Sequence, residues 1–310
     1  MTTASDIDLV VLEPTSLPVR REMPQWRLMA GDFYDLTKPR LNFLVLVTTV
    51  VGFHLAANGR GEWAYLPATL VGTALTAAGA SVLNQLIERQ YDALMPRTRN
   101  RPLAARRLGA AEALGFGVGL SIGGILLLAL LVNLLTAALA AFTLLSYVLI
   151  YTPMKRWTTL NTVVGAIPGA IPPVIGWTAA RGDLSLAAAS LFAILFIWQM
   201  PHFLAIATLY RRDYELGGFK MLPVIDVDLT VTGRQMVAYA AALIPASLLP
   251  LLLGMVGWFY APFALIGGAV FLALTIQCAR TRQRADARRV FFASIIYLPV
   301  ILAAMWICAR

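Results

Sequence analysis

The chain has 310 residues, of which 59% are apolar and only 13% charged, and its mean hydropathy is +0.73. These values exclude an ordinary water-soluble globule and point to an all-α polytopic membrane protein. A formal net charge of +9 would suit a nucleic-acid binder, but the basic residues lie in short clusters between apolar runs. Orientation in the lipid bilayer accounts for that pattern, and no nucleic-acid partner is expected.

Residues 1–40 hold no apolar stretch of signal-peptide length, and Asp6, Asp8, Glu13 and Glu22 are out of keeping with a mitochondrial transit peptide. They are expected to form a cytoplasmic N-terminal tail before a single transmembrane domain, 41–310, in a bacterial plasma (inner) membrane. Apolar runs of spanning length predict about nine helices, near 41–58, 64–86, 111–131, 134–151, 160–180, 185–209, 235–255, 258–279 and 290–309. With the N-terminus inside, the inner segments carry 22 of the 25 Lys and Arg residues, all except Arg60, Arg181 and Arg310. The same rule places the C-terminus outside. The two long inner loops, 87–110 and 210–234, follow the second and sixth spans, four spans apart. This layout predicts two four-helix halves around a central cavity, each delivering a polar loop to one face, plus a ninth helix. Cys278 and Cys308 lie in apolar runs without paired spacing, so packing roles are expected for both and no redox or metal site.

The stretch that closes the second span, Asn84 to Pro102, reads NQLIERQYDALMPRTRNRP. On a helix, Asn84, Glu88 and Asp92 drift by only about 40° per step and share one face. Glu88 stacked on Asp92 is a repulsive pair unless a divalent cation lies between them. Mg²⁺ is usually held by one or two carboxylates and phosphate oxygens, and Arg97, Arg99 and Arg101 follow at once. The pattern therefore predicts a metal-diphosphate site with Asn84, Glu88 and Asp92 as ligands. A basic anchor on anionic lipid would explain the arginines but not the acids.

Two further stretches belong to the same predicted face. In YTPMKRWTTLN, Tyr151 to Asn161, Lys155 is placed to act as a point charge on a leaving group, with Tyr151 and Arg156 beside it. Orientation in the membrane alone would also account for Lys155 and Arg156. The span that follows carries Gly165, Pro168, Gly169, Pro172, Pro173 and Gly176, and is expected to be kinked beside a cavity. In YRRDYELGGFKMLP, Tyr210 to Pro223, Asp213 is the expected second metal ligand, with Arg212 and Lys220 as substrate contacts and Gly217-Gly218 as the hinge of a lid. A neutralised surface pair is the other reading of Asp213. By helix rise His54 lies about 20 Å from the inner face and His202 about 10 Å, too far apart to clamp one iron. His202 is either a substrate contact or a structural hydrogen-bonding residue.

At these motifs the sequence resembles the UbiA superfamily of intramembrane prenyltransferases, and within it the haem O synthase branch. The resemblance runs through DFYDLTKPRLNFLVLVTTVVGF, the Asn84–Pro102 stretch, YTPMKRWTTLNTVVGAIPGAIPPVIGW, WQMPHF and DYELGGFKMLP. It implies transfer of a farnesyl group from farnesyl diphosphate to a vinyl group of haem b, with Mg²⁺ as cofactor and haem b as a substrate. It leaves room for a homo-oligomer or a hand-over of the product to a haem A synthase. Asn84, Glu88 and Asp92 match the first metal-diphosphate motif, and Asp213 the start of the second. The wider superfamily usually places another acid four residues later, where this chain has Gly217, as the haem branch does. Two other readings stay open at this point. One is a sibling prenyltransferase with a quinone or other tetrapyrrole acceptor. The other is a transporter, whose charges would be expected near the bilayer midplane.

Overall fold

The computed structural model describes residues 25–57 and 62–310, so most of the expected tail, up to residue 24, lies outside the described residues, as does Arg60. Nine helices among the described residues are long and apolar enough to cross a membrane: Pro39–Ala57, Trp63–Asp92, Ala110–Leu131, Leu134–Met154, Asn161–Arg181, Leu186–Leu209, Thr230–Leu252, Trp258–Thr281 and Arg284–Ile307. They are called the first to ninth spans below. The described residues contain no strand, only an isolated bridge between Val256 and Ala309.

Three boundaries differ usefully from those expected. The second span continues six residues further, to Asp92, and the seventh and ninth begin earlier, at Thr230 and Arg284. Hydropathy fades where polar residues enter, but a helix continues as long as its polar face meets protein. The part of the tail nearest the membrane is also ordered, as the helix Gln25–Leu36. Leu36 is fully buried, Phe33 packs edge-on against Phe116 at 4.9 Å, and Arg107 pairs with Asp32 at 2.8 Å. Trp26, Leu28, Met29 and Tyr34 on this helix stay exposed, a composition suited to the headgroup region.

Spans one to four pack in sequence, as do spans five to eight, while the ninth lies against the sixth, eighth and first. The fifth is the most enclosed, with 78% of its apolar stretch buried. As its prolines predict, it is broken, into Asn161–Ala170 and Pro172–Arg181. Its second half meets the first span backbone to backbone. A Cβ on Gly52 would lie 2.0 Å from the Pro173 carbonyl oxygen, and one on Gly176 would lie 1.9 Å from that of Thr49. Glycine is obligatory at such separations. The second half of the first span is thus locked in place, whereas Leu41, Phe43 and Leu44 near its start are 60%, 64% and 54% exposed. Tyr260, Phe53, Phe271 and Ile194 are among the large side chains that fill the interior.

Candidate active site

The last turns of the second span put Asn84, Glu88 and Asp92 on one buried face, with exposures of 2%, 5% and 1%. Buried acids are strongly disfavoured unless paired, and here each polar group meets a partner from a different part of the chain. Lys38 Nζ donates to Asn84 Oδ1 at 3.2 Å, and Asn84 Nδ2 donates to Thr152 Oγ1 at 3.0 Å. Lys155 Nζ donates to Glu88 Oε1 at 2.7 Å. Arg101 donates to Asp92 Oδ2 at 2.7 Å, while Asp92 Oδ1 is buried with no partner among the described residues.

Local backbone features aim these cations. The fourth span widens into a π-helical turn over Ser146–Tyr151 just before Lys155, and such turns recur at functional sites because they redirect side chains. Lys155 then lies over the Tyr151 ring, 4.6 Å from its centre, and 5.9 Å from that of Phe219. Burial works against its charge, but Glu88 and the tyrosines Tyr151 and Tyr147 outweigh this and raise its pKa above the usual lysine range. Lys38 sits at the left-handed φ of 49° between the interfacial helix and Pro39, a conformation a lysine adopts only where its surroundings hold it. Burial, then Arg101 and Lys155, lower its pKa to about 7, against the opposing pull of Glu88 and Asp92.

The second polar loop folds over this cluster as two short helices, Arg211–Leu216 and Leu222–Ile225. Asp213 accepts a hydrogen bond from the Arg97 backbone N–H at 3.2 Å, and the Arg97 guanidinium lies 4.8 Å from the centre of the Tyr210 ring. Phe219 and Met221 are buried against Met95 and Ala207, and the Lys220 N–H donates to the Lys155 carbonyl at 2.7 Å. A Cβ on Gly217 would be 3.0 Å from Met95 Sδ. A glycine therefore stands where an acid would press on this packing. Gly218, with φ of 68°, makes the turn itself.

The expected residues separate into four sets. Asn84, Glu88, Asp92, Lys155, Arg101 and Tyr151 come together, while Asp213 is bonded to the Arg97 backbone of the first loop. Arg156 donates to the Tyr91 hydroxyl at the rim, and Lys220 contributes its backbone to the site while its side chain is exposed. Arg99 and Arg212 are exposed and make no side-chain hydrogen bond or ion pair among the described residues. His202 lies apart, bonded to Ser294 of the ninth span. Lys38, Thr152 and Phe219 are the participants that sequence reasoning missed. For Lys38 the available signal was a lysine just before a proline at the mouth of a span.

Among the described residues no three His, Cys, Asp or Glu side chains converge closely enough to hold a metal ion unaided. The donor set nevertheless fits Mg²⁺, being all oxygen, with one buried carboxylate oxygen of Asp92 unpartnered. Asn84, Glu88 and Asp92 are the side chains that would hold it, with Asp213 the expected ligand from the second loop and phosphate oxygens completing the shell.

Residues 45–296 match the UbiA prenyltransferase family. The chain is 48% identical over 283 residues to a protoheme IX farnesyltransferase of Solibacter usitatus, covering 88% of this chain and 97% of that protein. It is 43% identical to one of Opitutus terrae, over 89% and 93% of the two chains. Among solved structures it superposes on a digeranylgeranylglyceryl phosphate synthase with a TM-score of 0.77 at 15% identity, covering 92% and 99% of the two chains. A UbiA homologue from Archaeoglobus fulgidus bound to GPP and Mg²⁺ gives 0.64 at 15% identity, covering 88% and 99%. These two likenesses bear on the fold, and the sequence relatives carry the kinship: the chain belongs to the UbiA prenyltransferase family.

Proposed function

We propose that the chain transfers a farnesyl group from farnesyl diphosphate to a vinyl group of haem b, giving haem O. The donor half of this reading rests on one observation, the buried Asn84–Glu88–Asp92 face on which Lys38, Lys155 and Arg101 converge. The acceptor half rests on kinship with protoheme IX farnesyltransferases along nearly their whole length. The charged groups gather at one end of the bundle, which speaks against a transporter with a midplane site.

Bound Mg²⁺ would offset the diphosphate charge and so favour ionisation of the allylic ester. The chain's own cations do the rest of the electrostatic work. Lys155 and Arg101, paired with Glu88 and Asp92, and Lys38, bonded to Asn84, are placed to turn to diphosphate oxygens, and Arg97 closes the same face from the loop. Preorganised positive charge of this kind stabilises the leaving group most as the C–O bond breaks. Phe219, Met221 and Met95 shield the site from water, so that farnesyl C1 bonds to the terminal vinyl carbon. Water then adds to the resulting cation beside the macrocycle, a proton is lost, and diphosphate departs. The reading places the site on the cytoplasmic face of a bacterial inner membrane, with the N-terminus inside and 41–310 as the catalytic domain.

The test is to incubate purified protein with haem b, farnesyl diphosphate and Mg²⁺ and to look for haem O by mass. Product is expected, and chelation should abolish it. A folded protein that consumes farnesyl diphosphate only with a quinone or another tetrapyrrole would replace haem b as the acceptor.

A further inference from the structure

His202 is the polar side chain of the sixth span that the diphosphate chemistry does not use, and its surroundings fix how it can act. Its Nδ1 is 2.7 Å from Ser294 Oγ on the ninth span, and Ser294 is fully buried. The Ser294 hydroxyl has a single proton, which it donates to the Phe291 carbonyl at 2.6 Å. With the Ser294 proton assigned to that carbonyl, Ser294 accepts from His202 and the imidazole carries its proton on Nδ1. That leaves a lone pair on Nε2, which has no hydrogen-bond partner among the described residues.

The ring cannot readily turn away. It is stacked near-parallel on Trp198, with centroids 4.9 Å apart, and on Phe291 at 5.5 Å. Trp198 is itself pinned by its indole N–H, which donates to the Ser294 carbonyl at 2.9 Å. An imidazole with its faces against aromatic rings and one nitrogen fixed as a donor presents its other nitrogen edge-on. This is how a second hydrogen-bonding partner prepares a histidine to ligate a metal.

The position suits a flat apolar ligand. His202 is half-buried and seven residues from the end of its span, or about 10 Å along the helix. It faces the ninth span, where Ser294 and Phe291 meet it, with Phe203 5.6 Å away on its own helix. His54 is not a second ligand. It stacks at 3.7 Å on Trp306, which is twelve residues, or about 18 Å, beyond Ser294 on the same helix.

We infer that His202 binds the iron of the haem acceptor through Nε2, and that Ser294 is the positioning residue that holds the Nδ1–H tautomer. The inference rests on the proposed haem-farnesylating reading and deepens it. Coordination at this depth would fix the macrocycle about 10 Å along the helix from the polar loop that follows the sixth span.

The experiment titrates ferric haem b into the full-length protein in detergent, following the Soret band and the electron paramagnetic resonance of the iron. Wild type is expected to give a nitrogen-ligated signature. His202→Ala should lose it and regain it with free imidazole, while binding iron-free protoporphyrin IX within about twofold of wild type. Ser294→Ala should weaken haem binding about tenfold to a hundredfold, as outer-sphere substitutions do, and Ser294→Thr should restore it. The inference is overturned if His202→Ala keeps the signature, or if it loses iron-free porphyrin as fully as haem, which would mean a packing role only. Haem O formation by wild type is read separately. A wild type that makes haem O while His202→Ala keeps the signature overturns this inference alone, and a wild type that binds no haem overturns the functional reading with it.

Discussion

The two polar loops follow equivalent spans and are built on different principles. At the end of the second span, three polar side chains are buried and each is met by a cation from elsewhere in the chain: Lys38 at Asn84, Lys155 at Glu88, Arg101 at Asp92, with Thr152 accepting from Asn84. At the end of the sixth span, the one side-chain hydrogen bond of Asp213 among the described residues comes from the Arg97 backbone N–H. Four residues later comes Gly217, closed off by Met95. The first loop holds charge, and the second, with Phe219 and Met221 turned inward, covers it. Two halves of similar layout need not supply equal halves of a binding site.

The sharpest way to break this comparison is a matched pair of substitutions. Asp92→Asn removes the charge that faces Arg101 and is expected to lower kcat about a thousandfold or more, on the scale of losing a preorganised electrostatic contact. Arg101 is 27% exposed and can turn to water, so the purified variant should stay folded in a thermal melt. Asp213→Asn, which loses only a single backbone contact, is expected to cost about tenfold, being a weaker instance of the same effect. Both are read as haem O formed per minute at saturating Mg²⁺. Equal losses would mean that the two loops share the charge after all.

A second test sharpens the role of the missed residue. With its pKa lowered to about 7 by burial and by Arg101 and Lys155, Lys38 is charged below that pH and neutral above it in the free enzyme. Diphosphate favours the charged form. KM for farnesyl diphosphate should therefore be flat below pH 7 and rise by up to about tenfold per unit above it, until the raised pKa of the complex is reached. Lys38→Arg keeps its charge throughout, and its profile should stay flat. A wild-type KM that does not change between pH 7 and 9 would remove Lys38 from diphosphate binding.

The bundle was legible in the sequence because hydropathy and loop charge are direct readouts of solvation, and Asn84, Glu88 and Asp92 were legible because a four-residue step fixes a face. What sequence spacing does not carry is which cation meets which acid. Lys38 is 46 residues from Asn84, and Lys155 is 67 from Glu88. Both contacts depend on how spans one and four pack on span two, and on approaches such as that of Gly52 to Pro173, which seats span one on span five and which no local pattern announces. The helix within the expected tail was not legible for a related reason. Gln25–Leu36 is too short and too polar to read as a span, and Arg107 and Phe116 hold it on the bundle through contacts distant in sequence.

The arginines make the same point at the smallest scale. Arg97, Arg99 and Arg101 are equivalent in the sequence, spaced by two, yet Arg101 reaches Asp92 and Arg97 stacks over Tyr210 while Arg99 faces outward. Arg212, beside Asp213, is likewise exposed. Charges in that position are screened within about 8 Å at physiological ionic strength and contribute little. The double variant Arg99→Ala, Arg212→Ala should therefore change kcat/KM by less than about threefold, whereas Arg101→Ala should lose at least about a hundredfold, as removal of a single preorganised donor does. If instead the double variant fell as far as Arg101→Ala, the loops would have to rearrange around the diphosphate. The covering loop would then be a second charge-holding loop in the bound state.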